Sequence, residues 1–542
     1  MTLSSDGQTA AAADVDVIVI GAGFGGLTAT YRMRERGLDV LSFERGLDVG
    51  GTWYWNRYPG ARTDSEGSFY RLNLFDDIVE PFSFKEKFPA QPEVLAYLGR
   101  VADELDLRKH YRFGVSVDAV VYDESTGRWQ VRTDDGQDYT AKYVVSAVGI
   151  QSEPLVPDLP GRENFGGRIY HTAKWPADPV DLDGCRIAVI GTGSSGIQII
   201  PQAADVASKL YVLQRTPTYS VPMVNKELTE EEQRELIESL PEIRKAVRDH
   251  PFSMPYSFSG RSALDVTDEE RDAIYGEGWA KGGFRFMIES FDDIGTTKEA
   301  NDTVSEWLRA KIHSIVEDPV TAAKLTPNYP YTVKRPPSGV EFFESFNKDH
   351  VELIALRESP LVSFSEKGLV LEDRELEVDV VILATGFDFV TGSLYKLNVQ
   401  GRGGLPLSER WADGLSNYLS VTLHGFPNFF VLGGPLYPGG NWPTVAEEVS
   451  TYIANVIAEG EKRSAQVIET KAEVEEAWVA HVNELASQSL MAQYGKDANA
   501  YGLGANIEGK LQSVFFYLGG AQVLFDQFDH EAASGYPGFE MS

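Results

Sequence analysis

The chain is poor in cysteine, in positive charge and in long apolar runs, and each shortage excludes something. One cysteine, Cys185, stands among 542 residues. No intramolecular disulfide and no Cys-x-x-Cys redox pair can form, which fits a reducing cytoplasm and argues against dithiol reductases. Cys185 precedes an apolar strand and reads as inert packing. Lys and Arg number 49 against 81 Asp and Glu, a formal charge of −32. A surface of that sign repels nucleic acid and anionic membrane, so neither is an expected partner. No apolar run is long enough to span a bilayer. Residues 1–14 lack the basic start and apolar centre of a signal peptide and read as a disordered tail. The eight histidines show no metal-ligand spacing, and no acid–base or nucleophile triad is evident, so no metal is expected. The expected state is a cytoplasmic monomer.

What is present is a repeated pattern. A short apolar strand at 15–20 runs into the turn 21–26 (GAGFGG), then a helix, then a second strand ending at Glu44. The same order recurs at 187–190, with the turn 191–196 (GTGSSG) and a second strand ending before Arg215. Each is a βαβ unit of dinucleotide-binding type. The chain is too long for one core, and the units lie far apart, so each belongs to its own domain. Strand-like segments at 143–147 and 380–383 both lead into glycines and read as domain crossings. Residues 223–328 are charged and helix-patterned, with capping boxes at Thr229/Glu232 and Thr267/Glu270. The expected fold is α/β: two Rossmann-like dinucleotide-binding domains, for FAD and NADP, with an inserted helical subdomain. The FAD domain takes 1–152 and 385–542, the NADP domain 153–222 and 329–384, and the helical insertion 223–328.

The glycines of the first turn divide the work: Gly21 permits the bend, Gly23 lets a pyrophosphate approach the backbone, and Gly26 lets helix and strand pack closely. Glu44 is placed to accept from ribose hydroxyls, which suits the ADP half of FAD. The segment 50–64 (GGTWYWNRYPGARTD) adds Gly51 for backbone approach to a flavin, with Trp53 and Trp55 as walls. In the second turn Gly191, Gly193, Ser194, Ser195 and Gly196 repeat the geometry, but Arg215 stands where the first unit has Glu44. A guanidinium pairs with a 2′-phosphate that a carboxylate would repel, and Thr216 adds a hydroxyl. The second site is expected to prefer NADPH to NADH, although a strand-end arginine is also a common surface residue.

Between the turns, FGGRIYHTAKWP places Phe165, Gly167, His171, Trp175 and Pro176 at fixed spacing. With that segment, with Gly50, Gly51, Trp53, Tyr58, Pro59, Gly60 and Asp64, and with Lys334-Arg335-Pro336, 384–388 (ATGFD) and 504–506 (GAN), the chain resembles the type I Baeyer–Villiger monooxygenases over almost its whole length. The resemblance implies FAD and NADPH as cofactors and a ketone and dioxygen as substrates. The chemistry the resemblance implies is uptake of dioxygen by reduced flavin at C4a and insertion of oxygen beside the carbonyl, giving an ester or lactone. It implies that Arg335 is the catalytic arginine and Asp64 its charge partner near the flavin. Lys334, Arg215 and Thr216 hold the 2′-phosphate, and His171 links the domains without direct chemistry.

Two departures stand out. Tyr501 replaces a tryptophan of the loop that folds over NADP in relatives, and 436–443 (LYPGGNWP) is unusual for a segment that lines the substrate pocket. Gln91, Ile150, Gln151, Tyr437 and Trp442 are the pocket candidates by position. They leave open which ketone is taken. Other readings also stay open at this point: a flavin monooxygenase acting on soft nitrogen or sulfur, a two-dinucleotide reductase, and a non-catalytic flavoprotein.

Overall fold

The computed structural model describes residues 13–76, 78 and 81–542. An eight-stranded sheet forms one centre. Its strands are β1 (Ala13–Ile20), β2 (Val40–Glu44), β3 (Tyr111–Phe113), β4 (Val117–Asp123), β5 (Arg128–Thr133) and β6 (Asp138–Ser146), joined by two late arrivals described below. The second sheet has five strands, all parallel: β7 (Arg168–His171), β8 (Arg186–Ile190), β9 (Lys209–Gln214), β10 (Val351–Ala355) and β11 (Val380–Leu383), in the order β10-β9-β8-β11-β7. Val17, Ile18 and Val19, and likewise Ile187, Ala188 and Val189, are fully buried. Continuous apolar runs of this kind belong to strands covered on both faces.

The tail expected over 1–14 does not include Ala13 and Asp14. Residues 1–12 lie outside the described residues, whereas Ala13 and Asp14 belong to β1, paired with Tyr139 and Thr140 of β6. Parallel pairing and a bond from Thr140 Oγ1 to Asp14 Oδ1 (2.7 Å) extend the strand beyond its apolar part.

Two stretches of chain build the first sheet. After β11 the chain returns: β12 (Val399–Gln400) pairs with β4, and β13 (Phe429–Val431) pairs with the end of β6. Helix α1 (Phe24–Glu35) follows the first glycine turn, and α2 (Ser194–Val206) follows the second. The long helix α3 (Trp442–Lys462) packs along α1. Six helices lie between Glu230 and Leu325, and three of them, Asp268–Lys281, Gly283–Glu289 and Lys298–Ile315, contribute to a third core. It includes Tyr275, Phe286 and Tyr331 and also takes in Leu490, Ala500, Leu503 and Val514 from the C-terminal part. The helices therefore grip the segment that carries Tyr501.

Trp129 locks the returning chain in place. It is fully buried, donates Nε1–H to Pro427 O (2.9 Å) and packs on Phe429 at 5.4 Å between ring centroids. Trp129→Ala is expected to cost about 3–5 kcal/mol of stability, read as a lowered denaturant midpoint.

Candidate active site between two nucleotide-binding turns

The two glycine turns are near copies in backbone. Gly21 has φ +115° and Gly191 +112°. The helix caps Gly23 and Gly193 have φ/ψ of −82°/−167° and −81°/−166°. A Cβ on Gly26 would overlap the Gly21 carbonyl, and one on Gly196 would overlap that of Gly191. Neither α1 nor α2 has a side-chain N-cap, so the N–H groups at these helix starts remain for an anion.

At the first turn a cleft of about 410 Å³ opens. Its walls include Gly21, Gly23, Glu44, Gly51, Trp53 and Trp55. Gly51 has φ +52°, and a Cβ there would stand 2.7 Å from Gly23 Cα, so only glycine lets the two loops meet. Glu44 is buried and accepts from the Ala22 and Gly46 amides (2.8 and 2.7 Å). Burial raises its carboxyl pKa against the pull of those two amides. This cradle of bare backbone, oriented carboxylate and indole walls fits the ADP and ring portions of FAD.

The second turn faces a cationic cluster. Arg215 follows β9, and Lys334 lies close enough to feel its charge. A third cation was not foreseen. Ala355 of β10 is paired with Gln214 of β9, and Leu356 N donates to Gln214 O (2.8 Å). This register brings Arg357 to Arg215. Only the strand order reveals the neighbour; in sequence Arg357 is simply a basic residue after a strand. Among the described residues none of the three cations has a carboxylate partner. In a chain with 32 excess negative charges, such a cluster fits an anion such as a 2′-phosphate. Burial and the two arginines bring the Lys334 pKa down to about 8.

The loop carrying Tyr501 lies against this cluster. Asn499 Nδ2 donates to Thr216 Oγ1 (3.2 Å), and Arg215 Nη2 donates to Asn506 O (3.4 Å). Lys510 Nζ holds the far end of the loop on Asp388 and on Phe389 O (2.7 Å). Tyr501 stands edge-on to Phe389, with ring centroids 5.0 Å apart.

Arg335 stands between the turns rather than in the wall of the first cleft. Its Nη1 pairs with Asp64 Oδ2, at the end of the segment that begins at Gly50, and its Nη2 donates to Ser194 Oγ (2.7 Å) in the second turn. Both side chains keep some solvent contact. An ion pair of that exposure adds about 0–1 kcal/mol, so what it provides is position. Ser195 lies against Tyr58, whose hydroxyl donates to Gln198 Oε1 (2.8 Å).

The fingerprint segment is a junction. His171 ends β7, and its Nδ1 accepts from Ala173 N (3.0 Å). The proton is therefore on Nε2, which lies 3.3 Å from Leu155 O and 3.2 Å from Thr385 Oγ1. Leu155 and Thr385 belong to the two crossings between the sheets. Burial lowers the imidazole pKa and keeps it neutral. Gly167 leaves room for Phe165, whose ring packs on Phe364 at 5.8 Å. Trp175 is buried and donates its amide to Trp55 O (3.3 Å), and Pro176 follows it out of the segment.

Of the pocket candidates, Gln151 and Trp442 line the first cleft, and Ile150 meets Trp442 over Gly433. Tyr437 stands against Trp442, centroids 6.0 Å apart. Gln91 is not brought to them. It donates to Trp53 O and lines a separate cavity of about 310 Å³ with Tyr58, Arg62 and Gln198. No group of His, Cys, Asp or Glu that could hold a metal is found among the described residues.

Two glycine turns, each following a parallel-paired strand of its own sheet, define a two-dinucleotide oxidoreductase, and residues 15–244 match the family described as pyridine nucleotide-disulphide oxidoreductase. The chain is 39% identical to a Baeyer–Villiger monooxygenase of Pseudooceanicola batsensis, over 96% of this chain and 95% of that protein. It is 38% identical to a phenazine N-monooxygenase of Lysobacter antibioticus, over 97% and 96%. A solved structure of cyclohexanone monooxygenase from Rhodococcus sp. Phi1, bound to NADP+, matches with a TM-score of 0.95 at 40% identity, covering 98% of this chain and 100% of that one. The chain belongs to the Baeyer–Villiger monooxygenases, the NADPH-dependent flavoenzymes of that name.

Lys334 sets a pH expectation. Its charge, which a phosphate needs, is lost as pH rises through about 8. Calorimetry should show binding of 2′,5′-ADP weakening above that pH while 5′-AMP binding stays flat.

Proposed function

We propose that the enzyme converts ketones to esters or lactones, with FAD in the first cleft and NADPH on the second turn. When bound, these cofactors supply hydride transfer and dioxygen activation. The rest falls to the protein. Gly21, Gly23, Gly26, Gly51, Glu44, Trp53 and Trp55 hold the flavin nucleotide. Gly191, Gly193, Ser194, Ser195 and Gly196 take the second pyrophosphate, and Arg215, Thr216 and Lys334 the 2′-phosphate. Residues 1–152 with 385–542 form the FAD domain, 153–222 with 329–384 the NADP domain, and 223–328 the helical insertion. Tyr501 closes the loop over the nicotinamide nucleotide.

The carrying observation is the placement of Arg335, tied at once to Asp64 and to Ser194. A guanidinium fixed between the two cofactor sites stabilises negative charge on the oxygen that attacks a carbonyl carbon. Asp64 orients it. Trp442, Ile150, Gln151 and Tyr437 shape the ketone site, with Gln91 supporting it through Trp53. No helix among the described residues is long and apolar enough to cross a membrane, and the acidic surface suits the cytoplasm.

A second reading, oxygenation of nitrogen or sulfur, has its own support in the relative named a phenazine N-monooxygenase. Turnover of a ketone panel under labelled dioxygen separates the two. An ester or lactone with one labelled atom is expected; sulfoxide or N-oxide alone would overturn the ketone reading. Arg335→Ala should still be reduced by NADPH yet lose ester formation by at least about 10²-fold. Arg215→Ala should raise the KM for NADPH roughly tenfold with little change for NADH; equal changes would remove Arg215 from 2′-phosphate recognition.

A further inference from the structure

Tyr437 is a polar side chain set into an aromatic box, and nothing among the described residues pairs with its polar atom. Leu436, at φ +61°, is held by its amide on Phe515 O (2.8 Å) and by Ser420 on its carbonyl. That turn directs the two-residue strand β14 (Tyr437–Pro438) alongside β15 (Phe516–Tyr517). Tyr437 is only 7% exposed. Its ring is walled by Phe516, Trp442 and Phe389, with centroids at 5.3, 6.0 and 6.4 Å. A phenylalanine would fill this box as well.

The hydroxyl has no hydrogen-bond partner among the described residues. It is also absent from the sealed polar atoms that lack one, so it keeps contact with open space. A phenol so largely enclosed gives up most of its water partners, and an acceptor brought to it recovers the loss. The groups that bear on that space are Tyr501 and Arg335, both close enough for their charges to reach the phenol. On the far side of the box, Trp442 lines the first cleft. The missing partner is thus an acceptor oxygen that enters between aromatic walls and the guanidinium.

We propose that Tyr437 Oη donates a hydrogen bond to the carbonyl oxygen of the ketone, holding that oxygen on the Arg335 side of the box. This assignment rests on the ketone reading of the site. No bond to Tyr437 is made or broken: the proton stays on the phenol, and the bond strengthens as the carbonyl oxygen gains negative charge during addition. Burial keeps the phenol neutral, and therefore a donor, through alkaline pH.

Tyr437→Phe removes the hydroxyl and leaves the box. With flavin content and melting temperature at wild-type values, three readouts decide. The kcat/KM for cyclohexanone should fall roughly tenfold or more, while sulfoxidation of methyl phenyl sulfide, which has no carbonyl, is unchanged. The NADP+ dissociation constant, from titration of the flavin spectrum, should not move. The infrared C=O stretch of bound 13C-labelled cyclohexanone should lie lower in the wild type than in the variant. Equal loss on ketone and sulfide, weakened NADP+ binding, or an identical C=O stretch would each overturn the assignment. A Tyr437→Leu variant that keeps flavin and matches Tyr437→Phe supports the hydroxyl as the cause; one that loses ketone turnover while Tyr437→Phe does not would overturn it. A wild-type enzyme that oxygenates the sulfide and no ketone would refute the ketone reading itself, separately from any effect of the variant.

Discussion

The guanidinium of Arg335 is held from two directions, by Asp64 on the loop descending from the first glycine turn and by Ser194 on the second. That double attachment is the constraint on which the site depends. The pair adds little to stability, because both partners meet solvent. It fixes where a positive charge stands relative to two cofactor cradles that are otherwise parts of different sheets. Ser194 stands both in the second glycine turn and on the arginine, as its acceptor.

Electrostatics elsewhere follow the same economy. The chain carries a large negative excess, yet Arg215, Lys334 and Arg357 converge without carboxylate partners. Burial, and after it repulsion by the two arginines, holds the Lys334 pKa down. The loop carrying Asn499 and Asn506 rests on Arg215 and Thr216.

The two sheets are tied where the chain crosses between them. His171 accepts from Ala173 and faces Leu155 and Thr385, one from each crossing. The imidazole there, kept neutral by burial, joins the two crossings by hydrogen bonds. This gives the fingerprint segment a physical role consistent with its distance from the Arg335–Asp64 pair in the chain.

Much of this was legible in local sequence. The glycine spacing, the strand before each turn and the residue after the next strand are all short-range features, so the two nucleotide cradles, Glu44 and Arg215 could be read directly. So could Asp64 and Arg335, although only through family likeness, since an isolated arginine says nothing of its partner. Tertiary structure decided what depends on strand order and long-range packing. It brought Arg357 beside Arg215 through the pairing of β9 with β10. It sent Gln91 to a separate cavity and placed the Tyr437 phenol within reach of the Arg335 charge. The physical reason is that periodicity and turn chemistry act over a few residues, whereas the neighbours of a charge are set by which strands and loops, hundreds of residues apart, fold against one another.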